Sequence, residues 1–83
     1  MSKDVYKNYL HDLGYILREN AIKAKEDIRA AKDPEDQAFR QGFRMAYYDV
    51  VTIMQQQQIG FDEVSDSDLA FEGFDPDRDV LVG

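Results

Sequence analysis

The 83-residue chain has no cysteine, which excludes a disulfide staple and any Cys-based metal site. That absence fits a reducing compartment. No stretch is apolar enough to span a bilayer, which takes about 20 consecutive apolar residues. Met1-Ser2-Lys3-Asp4 does not open a secretory signal, so the expected location is the cytoplasm, away from any membrane. There is one histidine, His11, and its neighbour Asp12 leaves a helix in a different direction, so the two form no catalytic dyad. No glycine-rich turn presents a serine nucleophile. No catalytic, cofactor-binding or metal-binding set is expected, and the chain reads as non-enzymatic.

Basic residues are scarce where acids are dense. Up to Phe61 nine Lys or Arg balance nine Asp or Glu. Beyond it Asp62, Glu63, Asp66, Asp68, Glu72, Asp75, Asp77 and Asp79 face Arg78 alone, so the formal charge of −7 resides entirely there. Such a segment repels phosphate and favours a basic partner. Asp75, Asp77 and Asp79 alternate like the start of a calcium loop, but that loop needs glycine at its sixth position and glutamate at its twelfth. Val80 holds the sixth, and Gly83 is the last residue given. A solvated acidic terminus with a helix cap is the favoured reading.

Proline occurs twice, and the first marks the start of the organising element. In Asp33-Pro34-Glu35-Asp36, Asp33 is placed to cap a helix, with Pro34 at N1 and Asp36 at N3. Phe39, Phe43, Ala46, Val50, Ile53 and Met54 then recur at intervals of three and four up to Gly60, a helical period. Phe39, Phe43, Ala46, Val50 and Ile53 form the expected centre of the stripe. Tyr47 and Val51 widen it to about half the circumference, more than one neighbouring helix covers.

From Lys3 to Lys32 there is no proline and a single glycine, Gly14. Tyr6, Tyr9, Leu10, Leu13, Ile16, Leu17, Ala21, Ala24, Ile28 and Ala31 make a second helical stripe, and Ser2 is positioned to cap it. The link at Lys32-Asp33 is so short that the helices must be antiparallel neighbours. Positions summing to about 66 then face each other: Ala24 meets Gly42 and Phe43, Ile28 meets Phe39, Leu17 meets Val50, and Leu13 meets Ile53. Asn20 falls within the stripe, where it either meets water at an edge or pairs with a second copy. Gln57 is expected on the buried face opposite Leu10.

After Gly60, isolated apolar residues (Phe61, Val64, Leu69, Phe71, Phe74, Val80, Leu81) alternate with acids. Ser65 and Asp68 resemble a capping box opening a short turn that Gly73 would end, and Asp75-Pro76 repeats the cap-then-proline signal. Phe61 to Phe74 is expected to fold back on the hairpin, with the last few residues mobile. The expected fold is therefore all-α: a two-helix hairpin over 1–60 and an acidic extension over 61–83, partly packed on it. A single core of this size contributes only ~3–5 kcal/mol, so the groove beside Tyr47, Val51 and Met54 is expected to be closed by a second copy, as a four-helix bundle, the rival being that Phe61, Val64, Leu69, Phe71 and Phe74 of the extension fill it within one chain.

The function expected from these features is that of a small protein-interaction module, an adaptor or inhibitor. One concrete form is a bacterial or phage-encoded inhibitor whose acidic surface imitates nucleic acid. Expected contacts are Tyr15, Arg18 and Ile22 on the back of the first helix, and Tyr47 and Val51 at the stripe edge. The acids Asp66, Asp68, Glu72, Asp75, Asp77 and Asp79 complete the set, facing a basic protein surface. The alternative is a nucleic-acid-binding regulator using Lys23, Lys25, Arg29, Lys32, Arg40 and Arg44. The net charge and the interleaved Glu26, Asp27, Asp33, Glu35 and Asp36 disfavour it.

Overall fold

The computed structural model describes residues 3–61 and 64–82. Ser2 as a cap, and Asp62, Glu63 and Gly83, lie outside the described residues. Two long helices, α1 (Lys3–Asp27) and α2 (Pro34–Ile59), pack against each other as a hairpin, and the molecule as a whole measures 49 × 21 × 17 Å. Helix α1 tightens into a 3-10 turn at Ile28–Ala30 before the link.

Local chemistry sets the turn. Asp33 is extended, and its carboxylate accepts from the Asp36 N–H at 2.7 Å with Pro34 beside it in the first turn. Asp36 returns a carboxylate to the Lys32 N–H at 3.1 Å and takes the Arg40 guanidinium at 3.0 Å. The Lys32 N–H foremost, then Arg40, hold the Asp36 carboxyl below its usual range. Arg40 also donates to the Asp27 carbonyl at 2.9 Å, tying the end of α1 to the start of α2. Helix α2 stops at Ile59, and Gly60 follows in a right-handed conformation, so its termination does not use a left-handed glycine.

The C-terminal segment lies along one flank of the hairpin. Ser65 and Asp68 form a complete capping box on a 3-10 turn at Asp66–Leu69. Ala70, not Gly73, ends that turn, in the left-handed region at φ 58°. Gly73, at φ 74°, makes the second reversal. A π-helical turn at Asp77–Leu81 follows. These turns deliver Leu69, Phe71, Phe74 and Val80 into one buried cluster with Ala21 and Val51. Phe71 and Phe74 meet with ring centroids 5.3 Å apart. Val80 is fully enclosed, so the packed layer reaches as far as the Asp77–Leu81 turn.

Gly14 is what lets the segment come so close. A Cβ there would lie 1.9 Å from the Leu69 carbonyl oxygen and 2.8 Å from its carbon. The backbone of the Asp66–Leu69 turn therefore rests directly on the backbone of α1, an approach only glycine permits.

The hairpin is rotated relative to the facing pattern expected from spacing. On α2 the inward side carries Val51, fully buried, with Tyr47 and Met54 packed beside it. Phe39, Phe43, Val50 and Ile53, expected at the centre, are exposed, and so is Gln57. On α1 the inward side carries Leu10, Gly14, Leu17 and Ala21, while Tyr6, Tyr9, Leu13 and Ile16 remain outside. The cause is the third layer. Residues that touch both the other helix and the C-terminal segment become the most enclosed, which moves the core toward that flank.

Candidate interaction surface

The rotation leaves one broad side of the hairpin bare. Tyr6, Tyr9, Leu13 and Ile16 from α1 and Phe39, Phe43, Val50 and Ile53 from α2 are between 36% and 68% exposed. A large side chain offers ~150–250 Å² when bare, so together they leave on the order of 800 Å² in water. Monomeric proteins seldom carry a contiguous apolar patch beyond ~300–600 Å², and a standard interface takes about 800 Å² from each partner. Phe39 and Phe43 pack edge to face at 4.9 Å between centroids, so this part of the surface is preformed.

Two recesses open beside the patch. Near the turn, a 370 Å³ cleft is walled by Asn20, Lys23, Ala24 and Asp27 on α1 and by Phe39 and Phe43 on α2. At the opposite end, a 240 Å³ cavity has Leu10, Met54 and Leu69 around it, with the more exposed Ile53, Gln57 and Phe61 at its rim. The first is rich in charged and amide groups and the second is almost wholly apolar.

The residues singled out from sequence fall elsewhere. Arg18 donates to the Ala70 carbonyl at 2.9 Å, pairs with Glu19 at 3.3 Å and stands 5.2 Å from the Tyr15 ring centroid. Ile22 packs against the buried cluster. Arg18 and Ile22 thus buttress the C-terminal segment, and Tyr15 is exposed beside Arg18. Val51 is core and no surface at all, since the segment covers it, and Tyr47 is half-buried beside it.

Most of the acids are already engaged. Asp66 accepts from the Gln58 amide at 2.9 Å, Asp68 from the Ser65 N–H at 3.0 Å, and Asp75 from the Asp77 N–H at 3.0 Å. Asp77 accepts from the Tyr48 hydroxyl at 2.6 Å, a bond that raises the phenol's pKa by favouring its protonated form. Asp79 accepts from Arg78 at 2.8 Å and from the Asp75 N–H at 2.9 Å; Arg78 first, then that N–H, lower its carboxyl to about 2. Ser65, first through its backbone N–H, likewise lowers Asp68. Glu72 is exposed and accepts no hydrogen bond among the described residues.

The basic residues near the turn are similarly mixed with acids, Arg40 being held by Asp36 and the Asp27 carbonyl. His11 and Asp12 approach to 3.9 Å on open surface. Among the described residues, no three His, Asp or Glu side chains converge on a metal position, and no helix is long and apolar enough to cross a membrane. Comparison with protein-family models, with curated proteins and with solved structures finds no match to this chain.

Sequence reasoning finds the residues of the bare side but places them in the core. The available signal was the small-residue pair Gly14 and Ala21, seven apart on one face of α1. A glycine within an otherwise uninterrupted helix marks where another backbone approaches, and the opposite edge of the stripe is then the one left free.

Proposed function

We propose that the protein is a small non-enzymatic interaction module, an adaptor or inhibitor, that acts as a two-fold homodimer. The bare sides of two hairpins close on each other as a four-helix bundle, and the acidic C-terminal flanks face outward toward a basic protein surface. The observation that carries this reading is the ~800 Å² apolar side spanning both helices, which doubled gives the ~1,600 Å² of a standard stable interface. A second copy is the occupant that matches the patch in length along the whole rod, and isologous pairing is the commonest form of assembly. The outward acids, with a formal charge of −7 per chain, steer a basic partner and repel polyanions.

Molar mass by light scattering across a dilution series tests it. The full chain is expected to weigh two chains at micromolar concentration, and Val50→Asp to weigh one with its helical circular dichroism unchanged. A wild-type chain that stays monomeric at high concentration refutes the dimer. Duplex DNA is expected to show no salt-sensitive complex at physiological ionic strength.

A further inference from the structure

The bare side is asymmetric from end to end, and the asymmetry selects one way of stacking two copies. The turn end carries the cleft whose α1 wall is polar and charged, and Phe39, from its opposite wall, is an all-carbon ring that is 66% exposed. The other end carries the apolar cavity and, beside it, Tyr6 and Tyr9, aromatic rings with polar tips, Tyr9 being 68% exposed. Each end thus presents projecting rings whose chemistry suits the recess at the far end better than its own.

The spacing agrees. Helix α1 runs from Lys3 to Asp27, so Tyr15 is its midpoint. Tyr9 lies about 9 Å before that midpoint, and the wall Asn20–Asp27 begins about 8 Å after it, at 1.5 Å per residue. On α2, Phe39 lies about 17 Å before Val50, and the Ile53–Phe61 rim runs from about 5 to 17 Å after it. A two-fold axis passing near Ile16 and Val50, across the rod, therefore overlaps most of the two hairpins, leaves the turn ends projecting, and exchanges the two ends.

Resting on the dimer reading above, we infer that two copies stack end over end, α1 on α1 and α2 on α2. Tyr6 and Tyr9 of each copy dock at the turn-end cleft of the other, and Phe39 docks at the other's apolar cavity. The tyrosine hydroxyls then reach Asn20, Lys23 and Asp27, while Phe39 meets Phe61 at the outer rim of the apolar cavity. Buried aromatic rings settle where a polar tip finds a partner and a bare ring finds none to desolvate. The competing stack has its axis along the rod, sets α1 over α2 and turn over turn, and lays Phe39 against the charged Asp27 and Lys23. That arrangement desolvates those charges without new partners, the kind of mismatch that discriminates between docking modes.

The chain has no cysteine of its own, so disulfide mapping reads the register directly. In Tyr9→Cys/Lys23→Cys the two thiols stand about 21 Å apart along one helix, far beyond the reach of an internal disulfide. Mild oxidation is expected to give a covalent dimer of this double variant, and Ile16→Cys is expected to link to its own copy near the axis. Mixed chains carrying Ile16→Cys and Val50→Cys separately are expected to give little heterodimer. Tyr9, Ile16, Lys23 and Val50 are all exposed and lie outside the buried cluster. Circular dichroism and light scattering of the reduced variants confirm fold and mass. A dimeric mass with an efficient 16–50 link and no 9–23 link overturns the register and leaves the dimer standing. A monomeric mass with no specific link overturns both.

Discussion

Replacing Gly14 by alanine should destabilise this protein, although the same change in an ordinary helix does the reverse. Helix propensity alone favours alanine over glycine by about 1 kcal/mol. Here the new methyl would sit 1.9 Å from the Leu69 carbonyl oxygen, a backbone atom with no rotamer to move aside. The turn Asp66–Leu69 must lift, and Leu69 and Phe71 leave the core with it. Both are essentially fully buried, and each is worth roughly 1.5–3 kcal/mol of burial. Partial displacement of both outweighs the propensity gain and leaves a net loss of about 2–4 kcal/mol. At ~4–8 °C per kcal/mol for a domain of this size, thermal melting followed by circular dichroism should show a drop of at least ~8 °C. Gly42→Ala, where nothing lies within 4 Å of the added methyl, is the control and should hold or raise the melting temperature, measured at dilution. A Gly14→Ala protein that melts higher than the parent would show that the C-terminal segment does not rest on α1, and the account of the core would fall with it.

Phe71→Ala should cost about 3–5 kcal/mol as a buried large-to-small change. Phe43→Ala, on the bare side, should leave the monomer's stability nearly unchanged and weaken only the proposed dimer; denaturant melts and light scattering of both variants read the contrast. Stability should also fall in acid. Asp79 is depressed from 3.8 to about 2 in the folded chain, so its contribution is full above pH ~4 and is lost as the pH drops toward 2. Asp79→Asn should be less stable at neutral pH and should show a shallower decline over that window. Tyr48→Phe removes the donor to Asp77 at 2.6 Å; limited proteolysis should then cut near the Asp77–Leu81 turn sooner, with α1 and α2 still intact.

The hairpin is legible in the sequence because its determinants are local. Asp33, Pro34 and Asp36 fix the start of α2 whatever packs around it, and the three-and-four spacing of apolar residues fixes both helices. The rotation of each helix is not local. A stripe covering half a circumference says that the helix is buried, but not which edge of the stripe lies deepest. Val50 and Val51 differ by about 100° round the helix, and only the third layer decides between them. That layer comes from Leu69, Phe71, Phe74 and Val80, which sit singly among acids with no period to reveal a face. The caps at Ser65 and Asp68 are readable, whereas the left-handed turn at Ala70 is not, since glycine usually takes such a place. Gly14 is visible as the one glycine before residue 42, but its meaning depends on the backbone that comes to lie on it.

The acids of the C-terminal segment change meaning once their partners are known. Read as composition, they are a negative surface awaiting a basic partner. In the fold, Asp66, Asp68, Asp75, Asp77 and Asp79 each accept a hydrogen bond from within the chain. A segment built of very short turns has many backbone N–H groups that no helix ladder satisfies, and short carboxylate side chains are efficient acceptors for them. Asp68, Asp75 and Asp79 cap backbone N–H groups of these turns, and Asp66 and Asp77 tie the segment to Gln58 and Tyr48 of α2, so much of the charge density serves to turn the chain and to hold Phe71, Phe74 and Val80 inward. The segment that makes the protein acidic is the same one that draws the core to its side of the hairpin. By doing so it leaves Phe39, Phe43, Val50 and Ile53 on the other side without a covering layer, so the negative flank and the apolar face are two consequences of a single packing choice, set on opposite sides of one thin rod.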